Sequence, residues 1–548
     1  MAADARGVRR PGFLTGALIG GLLTAPLIAF FYLGWKLVGL PFVPFNIFDW
    51  AARILPGRVI TFGIDSMVKG IRALRIGDTS SAAKAAEQSM AIILFLVAGV
   101  IAGAVLFALS RLLRTRRPVL PGILLGAAAG VAAVLVARSL DRPESVAPAV
   151  RNAWTVAAFV AWGAALGVAN RRLTRQTIAL RGESPPSARE MRLERVDRRQ
   201  FIVKLGAATA TITVAGAAVG ALAGGRRRRE VSAGKRWSAD HPLPNAGADV
   251  KPAPGTRPEF TPLEDHYRID ITTIPPVIDE AKWRLKVGGL VERPLELTLG
   301  EIRRYEPLHQ FVTLACISNP VGGGLIGTTR WTGVSLHRLL PDLHLAPNAT
   351  HLKLTSADRF YEVVALETIR NDERAMLAYE WDGLSLTTKH GFPLRTYIPD
   401  LYGMKQPKWL QSIEAMDHWE PGYWVKRGWD RTARMKATSV IDTVSVDMML
   451  SQADASTLIP VGGIAHAGAR GISRVEVRTD GGPWREARLR EPLSGLTWVI
   501  WRYDWPFQPG QHTLSVRCYD RRGTLQTPDP APPHPSGAAG FHSKSVML

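Results

Sequence analysis

Long apolar runs separated by short basic segments fill the first 223 residues. After them the pattern changes to short alternating stretches broken by glycine and proline. Five runs approach the roughly 20 residues needed to cross a bilayer core: Phe13 to Tyr32, Met90 to Leu109, Val119 to Val136, Trp154 to Val168 and Ile202 to Ala223. A buried soluble helix rarely runs so long without charge, so this pattern predicts a helical membrane bundle. Five crossings put the termini on opposite sides. The loop RLLRTRRP and the segment from NRRLTRQ to VDRRQ both carry the arginine excess of cytoplasmic loops, which requires the two spans between them to form a hairpin. The second segment is the firmer anchor; it leaves the N-terminus cytoplasmic and the C-terminal half outside. The stretch from Phe42 to Leu74 is apolar and amphipathic yet holds Arg53, Arg58, Lys69 and Arg72. It predicts helices lying in the membrane interface, with a re-entrant or packed loop as the competing reading.

The four arginines at 226 to 229 lie on the outer flank of the last span, against the usual charge bias. Just before that span, DRRQFIVKLG resembles a twin-arginine export signal carried by Arg198 and Arg199, set internally instead of at the N-terminus. Such a signal implies that the last span and the C-terminal half beyond it cross already folded, by a second route, with the later arginines hindering the first. From Val231 to about Pro262 the chain is rich in Pro, Gly and Ala, which suits an extended tether.

All 12 histidines lie from His241 onward, and the chain has two cysteines. Two cysteines give no disulfide framework. Cys518 falls in HTLSVRCYD on the same face as Leu514 and Val516 and reads as core. Cys316 ends the β-type stretch Phe311 to Ala315 and opens a glycine-rich loop, TLACISNPVGGG, as a metal-ligand thiolate is presented; simple packing of a small apolar residue is the alternative.

Around Cys316 stand, in order, DHYRID (265–270), WRLKVGGLVERPLEL (283–297), RWTGVSLHRLL (330–340), HGFPLRTYIPDLYGMKQPKWL (390–410) and EPGYWVKRGW (420–429). Together they resemble the sulfite-oxidase family of molybdopterin enzymes, from about Phe260 to the C-terminus. The resemblance implies that Cys316 ligates molybdenum, whose preference for soft thiolates it suits. It also implies that Tyr267, Arg268 and Asp270 line the cofactor and substrate mouth, with Arg268 catalytic beside Cys316, and that Ser318 and Asn319 follow the ligand. Ser356, His390, Arg395, Lys405, Gln406 and Lys408 then contact the pterin. Cationic donors within one short segment are what a phosphate-ended cofactor needs.

The expected organisation is a membrane anchor (1–224), a tether (225–262), an α+β molybdopterin domain (263–436) and an all-β immunoglobulin-like sandwich of the dimerisation type (437–548). The turn Asp480-Gly481-Gly482 marks a hairpin in the last part. The family's reaction is two-electron oxygen-atom transfer. Sulfite, a small dianion, needs clustered arginines. Here Ile317, Ser318, Asn319, Pro320 and Val321 stand where animal enzymes carry an arginine pair, and Asp270 takes the place of a mouth histidine, leaving Arg268 and Arg330 as candidates. Reduction of a sulfoxide or another S- or N-oxide is the alternative. No CxxCH occurs and no histidine precedes His241, so no haem is expected in this chain. Electrons must therefore pass through a separate carrier: a cytochrome, a haem-bearing membrane subunit or a quinone. A membrane-tethered binding module is the non-enzymatic alternative. The net charge of +21 is accounted for by clusters flanking membrane spans, not by nucleic acid.

Overall fold

The computed structural model describes residues 11–56, 79–112, 119–140, 146–179, 188–227, 235–445 and 457–548. The chain divides into two compact units. The first gathers the described residues of Met1–Leu55 and Lys84–Val231 with the short segment Thr272–Val277, and the second holds the described residues of Pro56–Ala83, Ser232–Ile271 and Ile278–Leu548.

Six helices build the first unit: α1 (Phe13–Val38), α2 (Val43–Ile54), α3 (Thr79–Leu112), α4 (Leu120–Leu140), α5 (Pro148–Ala179) and α6 (Ala188–Arg227). Among the described residues five segments are long and apolar enough to cross a membrane: Phe13–Val38, Lys84–Leu112, Leu120–Leu140, Pro148–Thr174 and Gln200–Gly220. In lipid no hydrophobic effect drives helices together, so close backbone packing through small residues takes its place. Gly122, Gly126 and Gly130 recur every fourth residue on α4. A Cβ on Gly122 would fall 2.3 Å from the Gly163 carbonyl oxygen of α5, so these helices pack backbone to backbone as a hairpin. The two basic loops require such a hairpin. Gly20 of α1 meets Gly99 of α3 in the same way. Thr24 shares its hydroxyl between the Gly20 carbonyl, at 2.7 Å, and the Trp162 indole N–H, at 3.2 Å.

The amphipathic stretch folds in part as α2, but its polar residues Asn46 and Asp49, one turn apart, are buried rather than left to headgroups. Arg58, Lys69 and Arg72 lie outside the described residues, as do the side chains of Arg198, Arg199 and the cluster 226–229.

In the second unit the linker residues from 235 to 262 form no strand, yet they are pinned. Arg490 donates to the carbonyls of Asn245 and Val250 at 2.9 Å each and pairs with Glu259 at 2.8 Å, while Arg257 grips Asp442. Two five-stranded sheets come next. The first, in the order β2-β1-β10-β5-β6, uses β1 (Leu285–Gly289), β2 (Leu295–Leu297), β5 (His351–Ser356), β6 (Tyr361–Ala365) and β10 (Leu410–Met416), with β1 and β10 parallel. The second runs β3 (Pro307–Ala315), β4 (Ile326–Ser335), β7 (Met376–Trp381) and β8 (Leu384–Ser385), with β9 (Arg395–Tyr397) on β7. Leu285, Leu352, Leu354 and Ile413 of the first sheet share one core with Val334 and Leu377 of the second.

The last part is all antiparallel β: seven strands in the order β11 (Thr438–Val444), β12 (Leu458–His466), β15 (Val499–Pro506), β14 (Arg485–Leu489), β13 (Ile472–Thr479), β16 (Gln511–Asp520) and β17 (His542–Met547). Its edges curl toward each other. The Ile441 amide donates to His542 Nδ1 at 3.2 Å and Lys544 Nζ to the Asp442 carbonyl at 2.8 Å, which makes the sheet a near-barrel. Arg470 fastens it to the preceding part by pairing with Asp400 at 2.6 Å and Asp520 at 3.1 Å.

Candidate active site

Cys316 occupies the first position beyond β3, where the β3–β4 hairpin opens. Its N–H donates to the Leu325 carbonyl at 2.9 Å, closing the hairpin one step past the last ladder pair, Ala315 with Ile326. The loop between is held by Asn319, whose N–H donates to the Cys316 carbonyl at 3.0 Å and whose Oδ1 accepts from the Leu325 amide at 2.9 Å. Asn319 therefore builds the loop. The Ser318 hydroxyl lies 3.0 Å from the Cys316 sulfur. Burial pushes the thiol pKa up, while Ser318, the Ile317 amide and the positive field of Lys408 pull it back toward the thiolate.

A wall of cations gathers near this thiol: Lys408 acts on it directly, and Arg395 and Cys316 both act on Tyr267. Arg395 on β9 lies beside Ala378 of β7, donates to the His390 carbonyl at 2.9 Å and stacks over the Trp331 ring at 4.7 Å. Lys408 donates to the Lys389 carbonyl at 3.3 Å and to Asp270 at 3.1 Å. Gly391, at φ +114, lets the chain turn between them, where a Cβ would press on the Cβ atoms of Arg395 and Lys408 at 3.1 and 3.3 Å. Arg268 pairs with Asp270 at 2.6 Å. Asp270 is thus enclosed, with its side chain 1% exposed, and binds two cations; its charge is met inside the wall instead of facing the solvent as a repulsive group.

Two indoles, two imidazoles and a phenol complete the enclosure. His390 packs on Trp381 at 4.4 Å, His266 lies 5.5 Å from Trp381 and 5.8 Å from His390, and Trp331 pairs across the ladder with Trp381. Tyr267 stacks on His266 and approaches Gly403. His266 in turn needs glycine at position 327, whose Cβ would meet its ring at 3.0 Å. Both imidazoles are held neutral, His266 at about 4 and His390 well below the usual range, first by burial and then by the neighbouring cations. Burial also lowers Lys408 to about 8 and Arg395 to about 10.

One buried and one half-buried cation, Arg395 and Lys408, both held below their ordinary range, form a site suited to an anion, since a nearby negative charge restores the charged form. The orphaned polar atoms agree: Arg395 Nε, His266 Nε2, Ser356 Oγ, Thr387 Oγ1 and the indole N–H groups of Trp331 and Trp381 are buried without a partner. Buried polar groups are normally satisfied, so this donor set fits a polar, phosphate-ended heterocycle. Ser356 belongs to the same neighbourhood: it pairs with Leu410, next to Trp409, whose indole donates to the Thr388 carbonyl at 2.7 Å.

The structure brings Cys316, Ser318, Tyr267, Arg268, Asp270, His390, Arg395 and Lys408 together. It directs three other side chains elsewhere. Lys405 donates to Glu362 at 2.6 Å in a pair buried to 2% and 0% exposure. Gln406 is bound by the Ile398 amide at 2.6 Å and itself donates to the Ile398 carbonyl at 2.8 Å. Arg330 lies over Trp237 at 4.8 Å, because strand alternation sends it to the face opposite Trp331. His266, Trp331, Trp381 and Thr387 are the site residues that sequence reasoning missed. The paired tryptophans of RWTG and YEWDG were the available signal.

The family model for the oxidoreductase molybdopterin binding domain matches residues 271–424. Chicken (Gallus gallus) sulfite oxidase is 27% identical over 290 residues, which are 44% of this chain and 62% of the chicken protein. The chain thus spans somewhat under two thirds of that relative. A putative protein-methionine-sulfoxide reductase subunit YedZ1 of Azospira oryzae is 28% identical over 153 residues, covering 28% of this chain and 56% of that protein. Among solved structures, the sulfane dehydrogenase SoxCD from Paracoccus pantotrophus is matched at a TM-score of 0.47 and 20% identity, over 59% of this chain and 90% of that one.

Proposed function

We propose that the chain, which carries an oxidoreductase molybdopterin binding domain and is similar to sulfite oxidases, is a molybdopterin-dependent oxidoreductase of the sulfite-oxidase family that catalyses two-electron oxygen-atom transfer, with sulfite as substrate and Cys316 as the protein's ligand to molybdenum. In the overall reaction sulfite and water give sulfate, two protons and two electrons, and the electrons leave on a separate carrier of the cytochrome or quinone class. The bound cofactor supplies the oxygen transfer and the redox chemistry. The chain's residues supply the rest. Cys316 offers a soft ligand positioned by the hairpin, and Ser318 and Lys408 favour its thiolate. Arg395, Lys408, Ser356 and the neutral His390 would hold the pterin and its phosphate. Arg268, oriented by Asp270, meets the substrate anion, and Trp331 and Trp381 exclude water from the wall. The observation that carries this reading is a buried thiol at a strand end that lies in the field of the half-buried Lys408 and shares Tyr267 as a neighbour with the buried Arg395.

The catalytic half is read as extracytoplasmic, delivered by the twin-arginine route and anchored by five spans, and the near-barrel as a dimerisation-type module. Lysine at both Arg198 and Arg199 should strand the catalytic half inside; normal protease accessibility from outside would remove that route.

A second reading, reduction of a neutral S-oxide, is favoured by one observation. The Ile317–Val321 loop carries no cation and Arg330 faces Trp237, which leaves Arg268, already bound to Asp270, as the charge for a substrate. Assaying sulfite-dependent reduction of an acceptor beside sulfoxide-dependent oxidation of a reduced dye separates the two. Turnover in the first assay alone supports sulfite oxidation, and turnover in the second alone overturns it.

A further inference from the structure

The loop between the first two spans carries a buried carboxylate that the chemistry above does not use. Asp49 on α2 is 1% exposed. The Thr273 amide donates to its two oxygens at 3.1 and 3.2 Å, and the Thr273 hydroxyl donates to Oδ1. The Thr272 hydroxyl lies 3.4 Å from Oδ2. Glu87 of α3 approaches the Thr273 hydroxyl at 3.1 Å, and Gln88 reaches the Thr273 carbonyl at 3.4 Å. Both threonines are 0% exposed, and Ile274 packs against the apolar core of the helices. A carboxylate buried without donors is costly, and here Thr272 and Thr273, more than 220 positions away along the chain, supply donors to it.

The path of the chain permits this pairing. Four spans separate the loop that holds α2 from the chain beyond Gly220. An even number of crossings returns to the same face, so α2 and Thr272 emerge together. This also explains the buried Asp49 on α2: it receives a peptide, not lipid headgroups.

We propose that α2 is a docking platform for the segment Thr272–Val277, with Asp49 as its clamp, giving the C-terminal half a second attachment in addition to its linker. Thr272 follows Asp270 by two positions, so the clamp holds the chain directly after the carboxylate that binds Arg268 and Lys408. The proposal is independent of the substrate reading.

The test uses the full chain in membranes, carrying Asp49→Cys with Thr273→Cys and a protease site inserted ahead of Lys235. The native Cys316 and Cys518 are buried on other elements. After mild oxidation and cleavage, the two fragments should migrate as one band that separates on reduction. Linkage no greater than in either single-cysteine chain overturns the clamp. In a second arm, Asp49→Leu should raise the rate of proteolysis between residues 262 and 285 by about ten-fold, as loss of a buried acceptor favours local opening. Asp49→Asn, which keeps an acceptor for the Thr273 amide, should stay near wild type. A leucine variant as protected as wild type would contradict the proposal.

Discussion

The surroundings of Cys316 and Cys518 show why burial alone does not identify a ligand. Both thiols are buried and free. Cys518 lies inside β16, flanked on its face by Leu514 and Val516, and burial drives its pKa to about 12 with little to oppose it. Cys316 lies one residue beyond a strand, where the ladder ends and loop amides, a serine hydroxyl and a lysine field become available. The same residue type packs as core in one place and, on the proposed function, serves a soft metal in the other because of what the end of a strand exposes.

The comparison breaks most visibly under substitution of the two cysteines. Cys316→Ser should reduce turnover by at least about a thousand-fold, more than ~4 kcal/mol of transition-state stabilisation, while thermal unfolding changes little. Cys518→Ser should leave turnover within about two-fold and lower stability by about 1–2 kcal/mol, since the hydroxyl can still reach Gln526. Equal effects of the two changes would remove the distinction. Next in size is Arg395→Met, which should cut the molybdenum retained per chain by about ten-fold, roughly the worth of one charge-assisted contact. Metal analysis reads it directly. Lys405→Met should instead cost about 3–5 kcal/mol of stability by leaving Glu362 buried and unpaired. Denaturant unfolding should show this with metal content per folded chain unchanged, sharpening the contrast between a cofactor cation and a structural one.

The smallest expected effect is electrostatic and lies on the near-barrel's surface. Asp480 and His512 are 2.6 Å apart, and their bond lowers the carboxyl pKa and raises the imidazole pKa. The aspartate contribution is present above its unfolded pKa of about 4 and fades as pH falls through the lowered value. The histidine contribution is complete below its unfolded pKa of about 6.5 and fades as pH rises through the raised value. Their joint stabilisation therefore peaks between those limits. His512→Gln should flatten the thermal midpoint on the alkaline side of that window; an unchanged profile would remove the pair from the account.

The membrane spans were legible because length and apolarity alone set them. Cys316 was legible because a lone cysteine at a strand end is visible in one dimension, and the basic segment from His390 to Lys408 because its cations are close in sequence. The enclosure was not. His266, Trp331 and Trp381 come from distant segments and meet only through the register of β4 on β7. The opposite fates of Arg330 and Trp331 depend on which face of β4 meets β9, and sequence proximity could not tell Lys405, bound to Glu362, from Lys408 at the site. The linker's composition suggested an extended tether, but its described residues include the short helix Trp237–Asp240 and are pinned by Arg490.

The most direct test of the central claim is X-ray absorption at the molybdenum edge on the purified full-length protein beside its Cys316→Ser variant. Coordination by Cys316 predicts one sulfur neighbour fewer in the variant. An unchanged sulfur count would show that Cys316 is not the metal's ligand.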